Sequence, residues 1–354
     1  MAVPLGITIL FSLEMKLFLD DSMIYLTYAK NFSSGLGWTF NPGANDHAAT
    51  SILHTLSQSL IFLAFFDPQN PDSIFLFLKL FEAAIVTLGV ALFYFVLTRS
   101  GIAPIFAGFA VALFISARFV VVYHLFSGME TSLYLVFLCL AMLLYERSRL
   151  ASLGFVTGIL FLVRPESLVV GPILALLDFA FVGVDETRNW LRKWIIPGSI
   201  AAAITLGIGA IFYFTKGSMI PESAEVKLLS AKNWGSYQSR IPAILTEFRH
   251  CVPLAFLGLF ALKRKRSALN GLLVSSLVLV FLYIVLGMPK APWYYLPFCL
   301  GFFSLVAVGL QKVGDLIRGH ALPIWPAYAG LALMMLVVDG TGFPQVWRNR
   351  GALR

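Results

Sequence analysis

Two adjacent carboxylates, Asp20 and Asp21, follow directly on an apolar run covering residues 2–19. An ionised Asp at the centre of a bilayer costs roughly 2.5–3.5 kcal/mol, so the pair belongs where that run leaves the membrane. Carboxylates held there suit proton abstraction from a hydroxyl, or the binding of a divalent cation. The bland alternative is that one of them caps the helix that follows, as Asp readily does. Other groups with chemistry to offer stand further along. Glu130 sits in Ser127-Gly128-Met129-Glu130-Thr131, where alone it reads as a capping acid. Arg164 precedes Pro165-Glu166. Pro165 and Glu166 suit a helix start, but a cation there does not. Arg164 therefore needs a carboxylate, Glu130 or Glu166, or an anionic ligand. Lys227 lies in a long polar stretch, residues 215–250, and Lys290 stands beside Trp293, Tyr294 and Tyr295. That last group reads either as an interfacial aromatic belt or as a cradle for a phosphate headgroup or a sugar ring. His54 lies in an apolar segment, 48–66, dotted with Ser51, Ser57, Gln58 and Ser59. His47, His54 and His124 have no zinc-site spacing, and no phosphate-binding loop or dinucleotide fingerprint is present.

The elements that must position these groups are membrane helices. Hydrophobic residues make up 59% of the 354-residue chain and charged residues 12%, with 32 Phe. That composition excludes an ordinary soluble domain, and the long unbroken apolar runs exclude a β-barrel. The fold class is an all-α polytopic membrane protein. A net charge of +8 reads as topology determinants instead of nucleic-acid binding. The three cysteines sit in or beside apolar runs and read as packing residues. The first run lacks a basic head and a small-residue cleavage site, so it reads as an uncleaved span rather than a signal peptide. The missing basic head also leaves room for native residues upstream. Further spans are expected at 74–97, 102–122, 131–145, 151–163, 168–184, 195–214, 251–262, 268–286, 298–310 and 321–338, eleven in all. The segment 48–66 then lies along the surface or dips in. Arg99, Arg147, Arg149, Arg188, Arg192, Lys193, the run Lys263-Arg264-Lys265-Arg266, Lys312 and Arg318 all fall on one side, which the positive-inside rule makes cytoplasmic. If 48–66 crossed, that four-residue run would face outside. The carboxylates, Arg164, the long loop 215–250 and the Lys290 aromatics fall together on the outer side, which suggests one extracytoplasmic site.

The stretch Asp20-Asp21-Ser22-Met23-Ile24-Tyr25-Leu26-Thr27-Tyr28-Ala29-Lys30-Asn31, with Gly35-Leu36-Gly37 and Phe40-Asn41-Pro42-Gly43 behind it, resembles the first outer loop of GT-C membrane glycosyltransferases. The branch it resembles is the arabinofuranosyltransferase-like, polyprenyl-phosphate-sugar-dependent one. The likeness continues in family order through Ala49-Thr50-Ser51, Ser127 to Thr131, Arg164-Pro165-Glu166, Lys227 and Trp293-Tyr294-Tyr295-Leu296-Pro297. The resemblance implies a single transmembrane domain over residues 1–354, its first outer loop at 20–73 carrying surface helices. The longer relatives' C-terminal soluble domain has no room here. It implies an enzyme of the bacterial inner membrane, facing the periplasm or exterior, that moves a hexosyl or pentosyl unit from a polyprenyl-phosphate carrier to a hydroxyl of an envelope glycan or lipid. The family's acidic motif falls on Asp20 and Asp21. The chain departs from the family at Asn45, Asp46, His47 and His54, where an acid and a bulky aromatic are common, which leaves sugar and acceptor open.

On this reading Asp20 is the base of an inverting displacement, and Asp21 orients it or shares the proton. Arg164, Lys227 and Lys290 are candidates for the donor phosphate. Glu130, Glu166, Trp293, Tyr294, Tyr295 and His54 would position groups or contact sugar and lipid. No cofactor is required once the cations are counted, although a divalent ion at Asp20-Asp21 is compatible. The alternative is a transporter or flippase of a lipid-linked sugar. Against it stand the lack of an evident inverted repeat and charges gathered on one face instead of the midplane. A structural subunit without chemistry fits least, given the charges placed at helix ends.

Overall fold

The computed structural model describes residues 20–116, 125–181, 187–218, 237–263, 265–288 and 292–319. The expected spans at 2–19 and 321–338 lie outside these residues. Every regular element among them is helical. In chain order they are α1 (Asp20–Ser33), α2 (Ile52–Phe65), α3 (Ser73–Arg99), α4 (Pro104–Ser116), α5 (Thr131–Glu146), α6 (Leu150–Val163), a 3-10 turn (Pro165–Val169) and α7 (Val170–Phe179). After them come α8 (Thr187–Lys216), a 3-10 turn (Tyr237–Arg240), α9 (Ile241–Glu247), α10 (Val252–Ala261), α11 (Ala268–Val285), a 3-10 turn (Pro292–Tyr295) and α12 (Leu296–Gly319).

Four of the described helices, α3, α8, α11 and α12, are long and apolar enough to cross a bilayer. The protein is a multi-pass membrane protein. Helix α2 has 14 residues, about 21 Å at 1.5 Å per residue, against a hydrocarbon core of about 30 Å.

Two expected boundaries shift. The span expected at 195–214 is a 30-residue helix starting at Thr187, so Arg188, Arg192 and Lys193 are helical instead of lying in a loop. The run expected as one span at 168–184 is broken: a 3-10 turn leads into α7, which has only 10 residues. Pro165 occupies the first position of that turn. At the other end of α7, Asp178 is buried and accepts from Lys193 Nζ and Trp194 Nε1, each at 2.8 Å. Arg266 Nη1 lies 3.3 Å from the same carboxylate. A carboxylate that gathers two cations and an indole N–H has a better partner set than lipid could give it, so the helix ends there.

Small residues let neighbouring helices meet backbone to backbone. A Cβ on Gly258 of α10 would collide with the Leu305 carbonyl of α12, and one on Gly309 of α12 with the Leu254 carbonyl. Gly154 of α6 seats in the same way against Pro197 of α8. The core between α3, α4, α5, α11 and α12 is largely apolar and aromatic; Phe93, Phe114 and Phe303 are almost fully enclosed.

Polar contacts sort to two ends of this bundle. At one end lie Asp178, Lys193, Arg266, Ser100 and Gln311. At the other lie α1, the 125–130 loop, Arg164 and Tyr283. Alternating helix directions place Arg99, Arg147, Arg149, Arg188, Arg192, Lys263, Lys265, Lys312 and Arg318 at the Arg266 end.

Candidate functional site

The site is built on Arg164, which caps α6 in an extended conformation between that helix and the 3-10 turn. Its guanidinium is buried. Nε donates to Glu130 Oε1 at 3.0 Å, and Nη1 lies 3.7 Å from Glu166 Oε1. Its carbon stands 5.2 Å from the Tyr134 ring centre and 5.1 Å from that of Tyr294, at cation–π range. Tyr283 donates to Glu166 Oε1 at 3.0 Å, and its ring meets Tyr294 edge-on. Burial works against the charge on Arg164, but Glu130 and Glu166 outweigh it and hold the guanidinium ionised.

Helix α1 joins this cluster through Tyr25, which is buried, shares a hydrogen bond of 2.7 Å with Thr50 and packs with Met129, the neighbour of Glu130. Burial, then the Glu130 charge, raises its phenol well above the ordinary range, so it stays protonated. Asp21 lies one helical turn before Tyr25, on the same face. Asp20 opens the helix. Asp20 and Asp21 are thus carried on the helix that packs, through Tyr25, beside Glu130, the partner of Arg164.

The 125–130 loop is held from beneath by a charge pair that the sequence reading passed over. Lys79 and Glu82 of α3 are both buried, with Nζ and Oε2 2.8 Å apart. Lys79 also donates to the Phe126 carbonyl, and Glu82 Oε1 accepts the Gly128 N–H at 2.6 Å. His54 Nε2 reaches the Gly128 carbonyl at 2.8 Å and Gln58 at 2.9 Å. Gly128 itself has φ of 79°, a left-handed conformation that favours glycine. The signal was available: two ionisable residues three apart inside an apolar span call for explanation.

A second layer orders the loop after α1. Asp46 accepts from Tyr28 Oη, from the backbone N–H groups of Phe40 and Asn41 at 2.7 and 3.1 Å, and from Thr39 at 3.2 Å. Burial raises its pKa, yet these four donors together hold it below the usual carboxylate value. Asn31 clamps the Thr39 and Phe40 carbonyls at 2.9 Å each. Next to this, His47 is buried and stacks on Phe212 of α8, ring centres 4.0 Å apart and 7° from parallel. Among the described residues neither ring nitrogen of His47 has a hydrogen-bond partner, and nor does the buried Trp38 Nε1, whose ring meets the same Phe212. Burial first, then the Lys216 charge, lowers His47 to about 4 against a smaller opposing effect of Asp46. The ring is neutral at pH 7.

The sequence-derived residues thus fall out as follows. Arg164, Glu130, Glu166 and Tyr294 form one cluster. Glu130 precedes α5 without capping it through its side chain, and its Oε1 accepts from Arg164. Arg164, facing two carboxylates, has little net charge left for a phosphate. His54 is turned to the Gly128 carbonyl. Tyr295 is buried and ends the 3-10 turn that also holds Trp293 and Tyr294. Lys227 and Lys290 lie outside the described residues. Among the described residues no three His, Cys, Asp or Glu side chains come together as a metal site would require.

These features define the class: an all-helical membrane fold, with helix α1 and its loop packed over one end of the bundle. Two crystal structures of ArnT from Cupriavidus metallidurans share it. The one bound to undecaprenyl phosphate matches at TM-score 0.66 and 15% identity over 96% of this chain, and the apo structure at 0.67 and 16% over 95%. The chain spans 63% and 62% of those two proteins. No family model and no curated protein matches the sequence.

Replacing Glu82 or Lys79 singly by Met should cost about 3–5 kcal/mol, since each leaves a buried charge alone. The double replacement should cost less than the sum of the two. Thermal unfolding of the detergent-solubilised chain measures this; strictly additive costs would show that the two groups do not act as a pair.

His47 gives a pH test. Its folded pKa lies below the ordinary 6.5, so between pH 6.5 and about 4 the unfolded chain takes up a proton that the folded chain refuses. Stability is full above 6.5 and falls as the pH drops, by up to roughly 3 kcal/mol at pH 4. His47→Phe keeps the stack on Phe212 and should flatten the fall in melting temperature from pH 7 to pH 5. An unchanged slope would place the titrating group elsewhere.

Proposed function

We propose that the protein is a glycosyltransferase that moves a sugar from a polyprenyl-phosphate carrier to a hydroxyl of an envelope glycan or lipid. On this reading it sits in the bacterial inner membrane with its site facing the periplasm or exterior. The observation that supports it is the packing of the helix of Asp20 and Asp21, through Tyr25 and Met129, beside Glu130 and buried Arg164. That packing sets the helix at one end of a GT-C-like bundle. The ArnT structure with undecaprenyl phosphate lends the donor class as an analogy of fold.

In the reaction, Asp20 takes the proton of the acceptor hydroxyl, and Asp21 orients it or shares that proton. The acceptor oxygen bonds to the anomeric carbon as the bond from that carbon to the phosphate oxygen breaks. The lipid phosphate leaves, and the anomeric centre inverts. Lys227 and Lys290 are assigned the developing phosphate charge, because a cation in a partly dehydrated site stabilises a departing oxyanion. Arg164, spent on Glu130 and Glu166, acts instead as the strut that sets α1 against α5 and α11. An apolar cavity of about 360 Å³ between α6, α7 and α8, from Leu168 to Trp194, suits the prenyl chain. The scheme routes no step through a metal ion; one at Asp20-Asp21 would supply further charge stabilisation.

Membranes containing the protein should release free polyprenyl phosphate from a radiolabelled polyprenyl-phosphate sugar only when transfer occurs. A flippase would leave the sugar attached. Asp20→Asn should lose transfer by at least about 100-fold while retaining labelled donor. Near-normal turnover would remove Asp20 from the role of base, and turnover by Asp21→Asn would then assign it between the two. Tyr25→Phe, which removes only the hydroxyl, should cost about 1 kcal/mol of stability and lower kcat more than it raises KM.

A further inference from the structure

At the opposite end of the bundle from Arg164 lies a cavity of about 610 Å³, bounded by α10, α11, α12 and the turn between α3 and α4. Three lysines line it: Lys263 and Lys265 from the loop before α11, and Lys312 from α12. All three are exposed, and none is in an ion pair among the described residues. The single acid of the lining, Asp315, is met by Arg318 at 3.0 Å and by Gln311 at 2.8 Å. The lining thus carries unopposed positive charge. The N-terminus of α11 adds to it, since Ser267 and Asn270 border the same space.

The cavity is held in shape by its own hydrogen bonds. Asn270 Nδ2 binds the Lys263 and Lys265 carbonyls at 2.9 and 2.6 Å and fixes the lysine loop. Ser100 Oγ accepts the Leu269 N–H at 3.0 Å, and Gln311 Oε1 accepts the Ala103 N–H at 2.8 Å, pinning the α3–α4 turn to α11 and α12. Lys265 Nζ hangs over Gly101, 3.9 Å from where a Cβ would stand. The other wall is apolar, made of Ile102, Leu257, Leu262 and Phe260, and Phe260 is 73% exposed towards the lipid side. One half therefore suits a phosphate anion and the other an acyl chain.

We infer that this cavity binds the headgroup and upper acyl chain of an anionic phospholipid. Basic pockets between membrane helices on the cytoplasmic side have this chemistry. The site is separate from the Arg164 cluster: Asn270 at its rim and Tyr283 beside Glu166 are about 20 Å apart along α11.

The test is native mass spectrometry of the full detergent-solubilised chain with added dioleoyl phosphatidylglycerol, dioleoyl phosphatidylcholine or inorganic phosphate. The wild type should retain phosphatidylglycerol over phosphatidylcholine. The K263Q/K265Q/K312Q variant should bind it at least about tenfold more weakly, each lysine near an anionic headgroup being worth roughly fivefold. The R147Q/R188Q/R192Q variant, which removes equal charge from the same end outside the cavity, should bind as the wild type does. Should the triple lysine variant fail to fold, K265Q and K312Q singly carry the same test. Equal retention by the lysine variant, equal loss in the arginine variant, or uptake of inorganic phosphate without lipid would each overturn the inference. Asp20→Asn should retain phosphatidylglycerol fully, so this result is read independently of sugar transfer.

Discussion

The pairing of one buried guanidinium with two carboxylates sets the geometry of the end of the molecule that carries the site. Arg164 is buried, so Glu130 and Glu166 must come to it, and each brings its own element. Glu130 brings the start of α5 and, through Tyr25, the helix that carries Asp20 and Asp21. Glu166 brings the 3-10 turn and, through Tyr283, the end of α11. Removing the guanidinium would leave buried Glu130 without its cation and close to partly exposed Glu166. The Lys79–Glu82 pair does the same one layer further in, where it fixes the loop from which Glu130 projects.

How much of this could be read from the sequence depends on how local the cause was. A cation before Pro165 has to find an acid, because a helix start repels it, and the two acids named for it are the two it meets. Glu130 was harder: an acid just before Thr131 looks like a cap, and only the fold reveals that its carboxylate points away from the helix it precedes. The helical class and the ends of α3, α5, α6 and α11 follow from continuous apolar runs. The length of α8 does not, because Arg188, Arg192 and Lys193 look like loop residues until Asp178 is seen reaching for Lys193.

Other parts were hidden for a different reason. Tyrosines in a membrane sequence read as interfacial anchors, so nothing marked Tyr25, Tyr134 and Tyr283 as members of a buried polar cluster. Asp46 is 18 residues from Tyr28, and the bond between them orders the loop from Phe40 to Ala48. Such pairings depend on how α1 packs, which no local pattern encodes. Lys79 and Glu82 were in view, but averaging hydropathy over a window hides two charges among many apolar neighbours.

Helix α8 is about 45 Å long at 1.5 Å per residue. Its first turns carry Arg188, Arg192 and Lys193, and the apolar stretch 195–214 is about 30 Å, the thickness of the hydrocarbon. The surplus length is therefore the basic end, where Asp178 holds Lys193 and Trp194. Near its middle, Pro197 is seated on Gly154 of α6. Its far end carries Phe212, against which His47 and Trp38 rest. A single rod thereby ties the basic rim of the bundle to the segment that follows the carboxylate-bearing helix.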